Sequence, residues 1–239
     1  MRIKSVVKLH TANRFTFFGM PFMIAGIAFA IILTVGIFAN VVTGGQDLED
    51  MYMGMTWNGA IFALLGPLMG FGITSMTQYF PLATGLGLTR WEFARGTGLI
   101  FVANAAMFSV FVTLGKMIEE ATSGWGLQVR FFNVFYTGIG PAWQTLVQTF
   151  LLILAFMFIG AAAATAVNRW GQMALWAGLL VMLVVILVAG MTAFINEEFL
   201  AWLISLLSMG WLPWMGVLLT VGVVSAVAWM TLVRRAQAR

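Results

Sequence analysis

The 239-residue chain contains no cysteine, which excludes disulfides, thiolate metal sites and a cysteine nucleophile. Charge is almost as scarce. Asp, Glu, Lys and Arg make up 8% of the residues, against about 25% in soluble domains, while 62% are hydrophobic. So little charge cannot clothe a water-exposed surface, and the solvent for most of the chain is lipid. Histidine occurs once, as His10; with no second histidine or cysteine to share a metal, it reads as a polar residue of the membrane interface rather than a ligand. H-E-x-x-H, G-x-S-x-G and phosphate-binding-loop patterns are absent, since Gly115-Lys116 is followed by Met117 and lacks the glycine pattern before it. Neither a catalytic residue nor a metal site is expected, and the chain does not read as an enzyme by itself. A net charge of +4 would suggest nucleic acid in a soluble protein, but here it is first sorted by side of the membrane.

A helix rising 1.5 Å per residue crosses the hydrocarbon core with about 20 apolar residues. Six runs meet that length, at residues 21–43, 55–78, 96–116, 141–167, 172–195 and 211–233, so the expectation is one all-α membrane domain over residues 1–239. The first run is too long for the apolar part of a cleavable signal peptide. Ahead of it, residues 1–14 read as an amphipathic surface helix, with Ile3, Val6 and Val7 on one side and Arg2, Lys4 and Lys8 on the other. Residues 119–140 carry Trp125, Phe131, Phe132, Phe135 and Tyr136, as suits chain folded onto the interface. Asn196-Glu197-Glu198 opens a short apolar helix to about Ser208, too short to cross. In the second run, Pro67 removes a backbone hydrogen bond and predicts a mid-membrane kink. Gly66-x-x-x-Gly70 around it, and Gly160-x-x-x-Ala164 in the fourth run, are spacings that let another helix approach closely. For Gly66, Pro67 and Gly70, tight packing and a hinge are both readings of the same residues. The fifth run, mostly Leu, Val and Met, reads as lipid-facing.

With six crossings, Arg2, Lys4, Lys8, Arg14, Arg90, Arg95, Arg169, Arg234, Arg235 and Arg239 share one side, leaving Lys116 and Arg130 opposite. The positive-inside rule makes that side, with both termini, cytoplasmic. Acidic residues reverse the pattern: Asp47, Glu49, Asp50, Glu119, Glu120, Glu197 and Glu198 fall outside and Glu92 alone inside. No ionisable side chain is expected in the interior of any run, which weakens ion-coupled pumps and secondary carriers as a class. Asn58, Thr74, Asn104 and Gln148 are candidates for a cavity lining, with interhelical hydrogen bonding as the simpler role.

Between the second and third runs the sequence is too regular for a plain linker. Pro81 allows a fresh first helical turn, Leu82, Leu86 and Leu88 supply an apolar face, and Gly85 and Gly87 loosen the backbone. Thr89-x-x-Glu92 is a capping box that starts the next helix. The stretch Phe80-Pro81-Leu82-Ala83-Thr84-Gly85-Leu86-Gly87-Leu88-Thr89-Arg90-Trp91-Glu92-Phe93-Ala94-Arg95-Gly96-Thr97 resembles the cytoplasmic loop of bacterial ATP-binding cassette (ABC) exporter permeases of the type 2 superfamily. There the pattern F-P-x-A-x-x-x-G-x-[ST]-R-x-x-F-x-x-G-T recurs, often with two adjacent basic residues where this chain has Arg90-Trp91. The amphipathic N-terminus, six spans and a short external helix between the fifth and sixth are also similar to that family.

The resemblance implies a permease of the bacterial cytoplasmic membrane that pairs with a second permease, identical or related, and with two cytosolic ABC ATPase subunits. ATP and Mg would be bound by those partners, and this chain would carry no cofactor. Leu82, Leu86, Leu88, Thr89, Arg90, Trp91, Glu92 and Arg95 would form the coupling helix docked in the ATPase, in the manner of an amphipathic helix in a groove. With no buried charge to match an ionic solute, an apolar or amphipathic cargo of the lipid, drug or peptide class is expected, and no nucleic acid. Two other classes remain open from the residues alone: a membrane scaffold or sensor whose loop docks a cytosolic regulator, and a carrier with a carbonyl-lined ion site.

Overall fold

In hydrocarbon every backbone N–H and C=O has to be satisfied within the protein, so apolar runs of this length become helices. A computed structural model describes residues 2–44, 52–207 and 210–235. Its helices are α1 (Arg2–Ala12), α2 (Met20–Thr43), α3 (Phe62–Thr74), α4 (Phe80–Gly85), α5 (Arg90–Ala121), α6 (Ala142–Trp170), α7 (Gln172–Ile195), α8 (Glu197–Leu207) and α9 (Trp211–Arg235). There is no strand among the described residues. Six helical stretches are long and apolar enough to cross a membrane: Phe15–Thr43, Tyr52–Gly85, Arg90–Ala121, Ala142–Trp170, Gln172–Ile195 and Trp211–Arg234. The chain is an all-α membrane protein with the expected number of spans. The acidic cluster Asp47, Glu49 and Asp50, together with Ser208 and Arg239, lies outside the described residues.

Prolines explain the two places where a helix widens. Pro21 follows a π turn at Phe15–Gly19, and Pro81 follows another at Ser75–Tyr79. Just before each proline the amide reaches back five residues, from Met20 to the Phe15 carbonyl and from Phe80 to the Ser75 carbonyl. The wider turn gives the ring room beside the carbonyl it would otherwise strike. Pro81 therefore does not open a separate helix as expected; residues 62–85 are helical throughout, and α4 is the end of the second span.

That span is irregular at its other end. Met55–Trp57 is a tight 3₁₀ turn and Asn58 is extended, with φ −66° and ψ 143°. Helix resumes only at Phe62, so Pro67 stands in the second turn of α3, near the middle of the Tyr52–Gly85 stretch. Among the described residues the expected close approach at Gly66 and Gly70 is absent, because a Cβ at either position would meet nothing within 4 Å. The crossing uses other glycines. A Cβ on Gly72 would overlap the Met157 carbonyl oxygen, and one on Gly160 would overlap that of Met69, so α3 and α6 touch backbone to backbone, as small residues allow. Gly160 thus bears out the second expected contact face, with Ala164 also buried.

Helix α6 is the hub, packing most extensively on α9, α3 and α5. Phe101, Phe158 and Trp229 meet there with ring centroids 5.3–5.9 Å apart. Helix α2 hangs on the side of this hub: a Cβ at Gly36 would overlap the Val129 side chain, and Asn40 Nδ2 donates to the Leu127 carbonyl at 3.2 Å. Helix α7 buries no residue at all, as its composition implies. At the opposite extreme α1 is docked, with Val6 fully buried where a Cβ on Gly96 of α5 would strike it.

Candidate functional site

The loop that carries the motif is built by two opposed caps. Helix α4 ends in a Schellman arrangement, in which the Leu88 amide donates to the Ala83 carbonyl at 3.1 Å and the Gly87 amide to that of Thr84 at 3.0 Å. Gly87 takes φ +78° to make that reversal, a conformation glycine adopts without cost. Gly85 is an ordinary helical residue. Helix α5 then starts on the capping box: the Glu92 amide donates to Thr89 Oγ1 at 3.2 Å, and the Thr89 amide to Glu92 Oε2 at 2.9 Å. Caps of this kind contribute about 0.5–2 kcal/mol.

Between the caps α4 is two-faced. Phe80 and Ala83 point inward and are buried, Phe80 edge-on to Phe93 at 5.3 Å. Leu82 and Leu86, one turn apart, are 51% and 70% exposed. Leu88 departs from the expected face and packs partly on the core. Arg90, Trp91 and Arg95 are engaged elsewhere: Arg90 Nη1 donates to the Arg234 carbonyl at 2.8 Å, and the Trp91 ring is met by the guanidinium groups of Arg95 at 4.6 Å and Arg234 at 5.3 Å. These residues clip the start of α5 to the end of α9 and gather Arg90, Arg95 and Arg234 at one end of the molecule.

His10 is not the interfacial residue its sequence context suggested. It is fully buried, its ring 4.8 Å from Tyr79, 5.7 Å from Phe93 and 5.8 Å from Phe71. Nδ1–H donates to the Val6 carbonyl at 2.9 Å, which leaves Nε2 to accept from Thr97 Oγ1 at 3.4 Å. Burial lowers its pKa from 6.5 to about 4, the bond to Val6 opposing that shift, so the ring is neutral at physiological pH. The sequence did hold a signal: Val6 and His10 are four apart on one face of α1, opposite Gly96-Thr97.

The four polar candidates do not converge. Asn58 and Gln148 belong to the end of the bundle away from α1. Asn58 donates to the Met55 and Arg130 carbonyls at 2.6 and 2.8 Å, and Gln148 Nε2 donates to those of Phe135 and Tyr136, both at 3.1 Å. Thr74 is half-buried beside the second π turn. Asn104 alone is buried with both amide atoms unpartnered.

At that far end Glu119 and Glu120, expected in the loop, sit on a helix together with Lys116, the last residue of the expected third run. Helix α5 has 32 residues, about 48 Å at 1.5 Å each, so its ends project beyond a core of about 30 Å. Lys116 and Glu119, on its last turns, are both fully buried. Glu119 holds the following loop by its backbone: Oε2 accepts from the amides of Phe131 at 2.9 Å and Phe132 at 3.0 Å, and Oε1 from that of Asn133 at 2.9 Å. The Trp125 indole donates to Oε2 as well, at 3.0 Å. Lys116 Nζ donates to the carbonyls of Gly138, at 2.8 Å, and Gly140, and to Thr145 Oγ1 at 3.0 Å, with Glu120 3.6 Å away. A carboxylate on amides and an ammonium on carbonyls are the strong, charge-assisted pairings. Together they turn residues 119–140 into a brace at this end of the bundle, which no local sequence pattern announces.

No family model matches the chain, and no curated protein or solved structure matches it.

Proposed function

We propose that this chain is the membrane subunit of an ATP-driven exporter of the type 2 ABC superfamily, and that Leu82 and Leu86 are its contact with a cytosolic ATPase. The observation that carries the reading is the geometry of α4: two exposed leucines one turn apart, on a helix rigidly capped at one side and continuous with a span at the other. An apolar pair held in this way is a preorganised anchor for a groove. The basic end that bears α1, α4, Arg90, Arg95 and Arg234 then faces the bacterial cytoplasm, both termini with it. Two such permeases, identical or related, and two ATPases holding ATP and Mg make the working unit. ATPase closure pulls on α4 and so on the second span and α5. The cargo is apolar or amphipathic, since the charged groups of the spans lie at their ends and are consumed in bracing.

The test is recovery of an ABC-type ATPase with tagged permease purified from native membranes in mild detergent. Leu86→Asp places a charge where the groove would have to bury it unpaired, at a cost on the order of several kcal/mol. The ATPase should be lost while the permease inserts at normal abundance, because α4 projects from the bundle at this residue. Full recovery of the ATPase with Leu86→Asp at normal abundance would overturn the assignment.

A further inference from the structure

We infer that the basic cleft between the start of α5 and the end of α9 binds the phosphodiester of an acidic glycerophospholipid. The cleft has a volume of about 270 Å³ and is lined by Arg90, Trp91, Ala94, Met230, Val233 and Arg234. Its lining is graded with depth. Ala94 lies one turn along α5 from Arg90, and Met230 one turn before Arg234 on α9; α5 leaves this end of the bundle and α9 returns to it, so both steps run about 6 Å toward the hydrocarbon. Charge therefore sits at the lip and apolar surface below it. That is the order of groups in a lipid, phosphate above and acyl chain beneath, whereas a soluble phosphate compound has no use for the lower half. Helix α9, with 25 residues, is about 37 Å long and outlasts a core of about 30 Å. The arginines at its end and at the start of α5 fall in the headgroup layer, because a guanidinium is costly any deeper.

The clip that joins α5 to α9 leaves most of its donors unspent. Arg90 uses Nη1 on the Arg234 carbonyl at 2.8 Å, and a guanidinium carries further N–H groups in the same planar fork. The Arg234 guanidinium lies 5.3 Å from the Trp91 centroid, and that of Arg95 4.6 Å from the same ring; attraction to an aromatic face is no substitute for an oxygen acceptor. Arg90, Trp91 and Arg234 are all exposed, so a ligand in the cleft reaches them. Among the described residues no carboxylate lines the cleft. Glu92, on the same first turn of α5, has Oε2 turned back to the Thr89 amide and hydroxyl, at 2.9 and 2.8 Å. An anion that accepts from several donors at once completes such a site, and phosphate oxygens match the guanidinium fork. A zwitterionic headgroup would bring its ammonium to a surface of like charge. The inference stands apart from the ATPase assignment, because it uses only this chain and its bilayer.

The experiment sets phosphatidylglycerol against phosphatidylcholine of identical acyl chains on delipidated protein, followed by native mass spectrometry. Phosphatidylglycerol should be retained in preference. A basic residue at the surface strengthens binding to an anionic lipid about fivefold. Arg234→Gln keeps the backbone carbonyl that Arg90 grips, and should cut the preference by that factor. Arg169→Gln removes a cation that lies on Trp170 at the end of α6, outside the cleft, and should leave the preference unchanged. Equal retention of the two lipids by the unaltered protein would overturn the inference. An undiminished preference in Arg234→Gln would do the same, as would an equal loss in both variants, which would mean diffuse attraction to a basic surface. Glycerol 3-phosphate separates the headgroup from the lipid. At equal concentration it should fail to displace phosphatidylglycerol, and displacement would replace the lipid with a soluble phosphate compound. The lipid preference and the displacement are read on unaltered protein, so they decide the matter even if Arg234→Gln fails to fold.

Discussion

His10 shows how a single residue ties the surface helix to the span that bears the motif. Its ring is wedged among Phe71 and Tyr79 of the second span and Phe93 of α5, so α1 leaves its seat only if this ring does. The folded pKa, about 4, lies below the ordinary 6.5. For a base with a lowered pKa the docked state is fully favoured above pH 6.5, and it loses ground as pH falls from 6.5 toward 4, where the docked ring itself takes a proton. Between pH 7.5 and 5 docking should weaken about thirtyfold, and over the whole window by about 3 kcal/mol. Hydrogen exchange at residues 3–10, corrected for intrinsic rates, should show that loss in the native chain and not in His10→Phe. Equal acid sensitivity of the two would assign the effect to another group. Residue roles of this kind were only half legible. The face shared by Val6 and His10 can be read off the helical period, but the grip of Glu119 depends on amides presented by a loop whose shape nothing nearby in sequence dictates.

Among the elements, long apolar runs and caps were readable, since both rest on local rules: the six crossings overlap their expected positions with ends displaced by at most seven residues, and Thr89 and Glu92 form the box their spacing implied. What the helical pattern left undecided is which glycine meets a neighbour. Gly66-x-x-x-Gly70 has the right spacing but an open face, whereas Gly72, which belongs to no such pair, touches the backbone of α6. Register between helices is set by the whole interface and not by one motif. Substitution separates the two cases. Gly160→Val should force α3 and α6 apart and destabilise the bundle by about 1–3 kcal/mol, as overpacking does, read as a lower melting temperature in detergent. Gly66→Val should leave that temperature unchanged. A large drop for Gly66→Val, in protein that remains monomeric, would mean that α3 packs differently along this face.

For the molecule as a whole, the basic residues at the α1 end and the short helix α8 at the other fix a testable orientation. The native lack of cysteine makes the test clean. Glu197→Cys, exposed at the start of α8, should react with an impermeant maleimide in intact cells, while Lys4→Cys, exposed on α1, should react only after permeabilisation. The reverse pattern would invert the topology and remove α4 from the cytosol. The brace also bears on how such a molecule is made. The amides that Glu119 binds lie 12, 13 and 14 residues further along, and the carbonyls that Lys116 binds 22 and 24. Closing loops so short costs little, and doubling their length adds only about 0.6 kcal/mol. Every partner of the brace has therefore been synthesised once Thr145 leaves the ribosome, long before α9 exists to complete the hub around α6. The nascent chain can finish this end first and wait for its last helix, with the partners of both buried charges already close behind them.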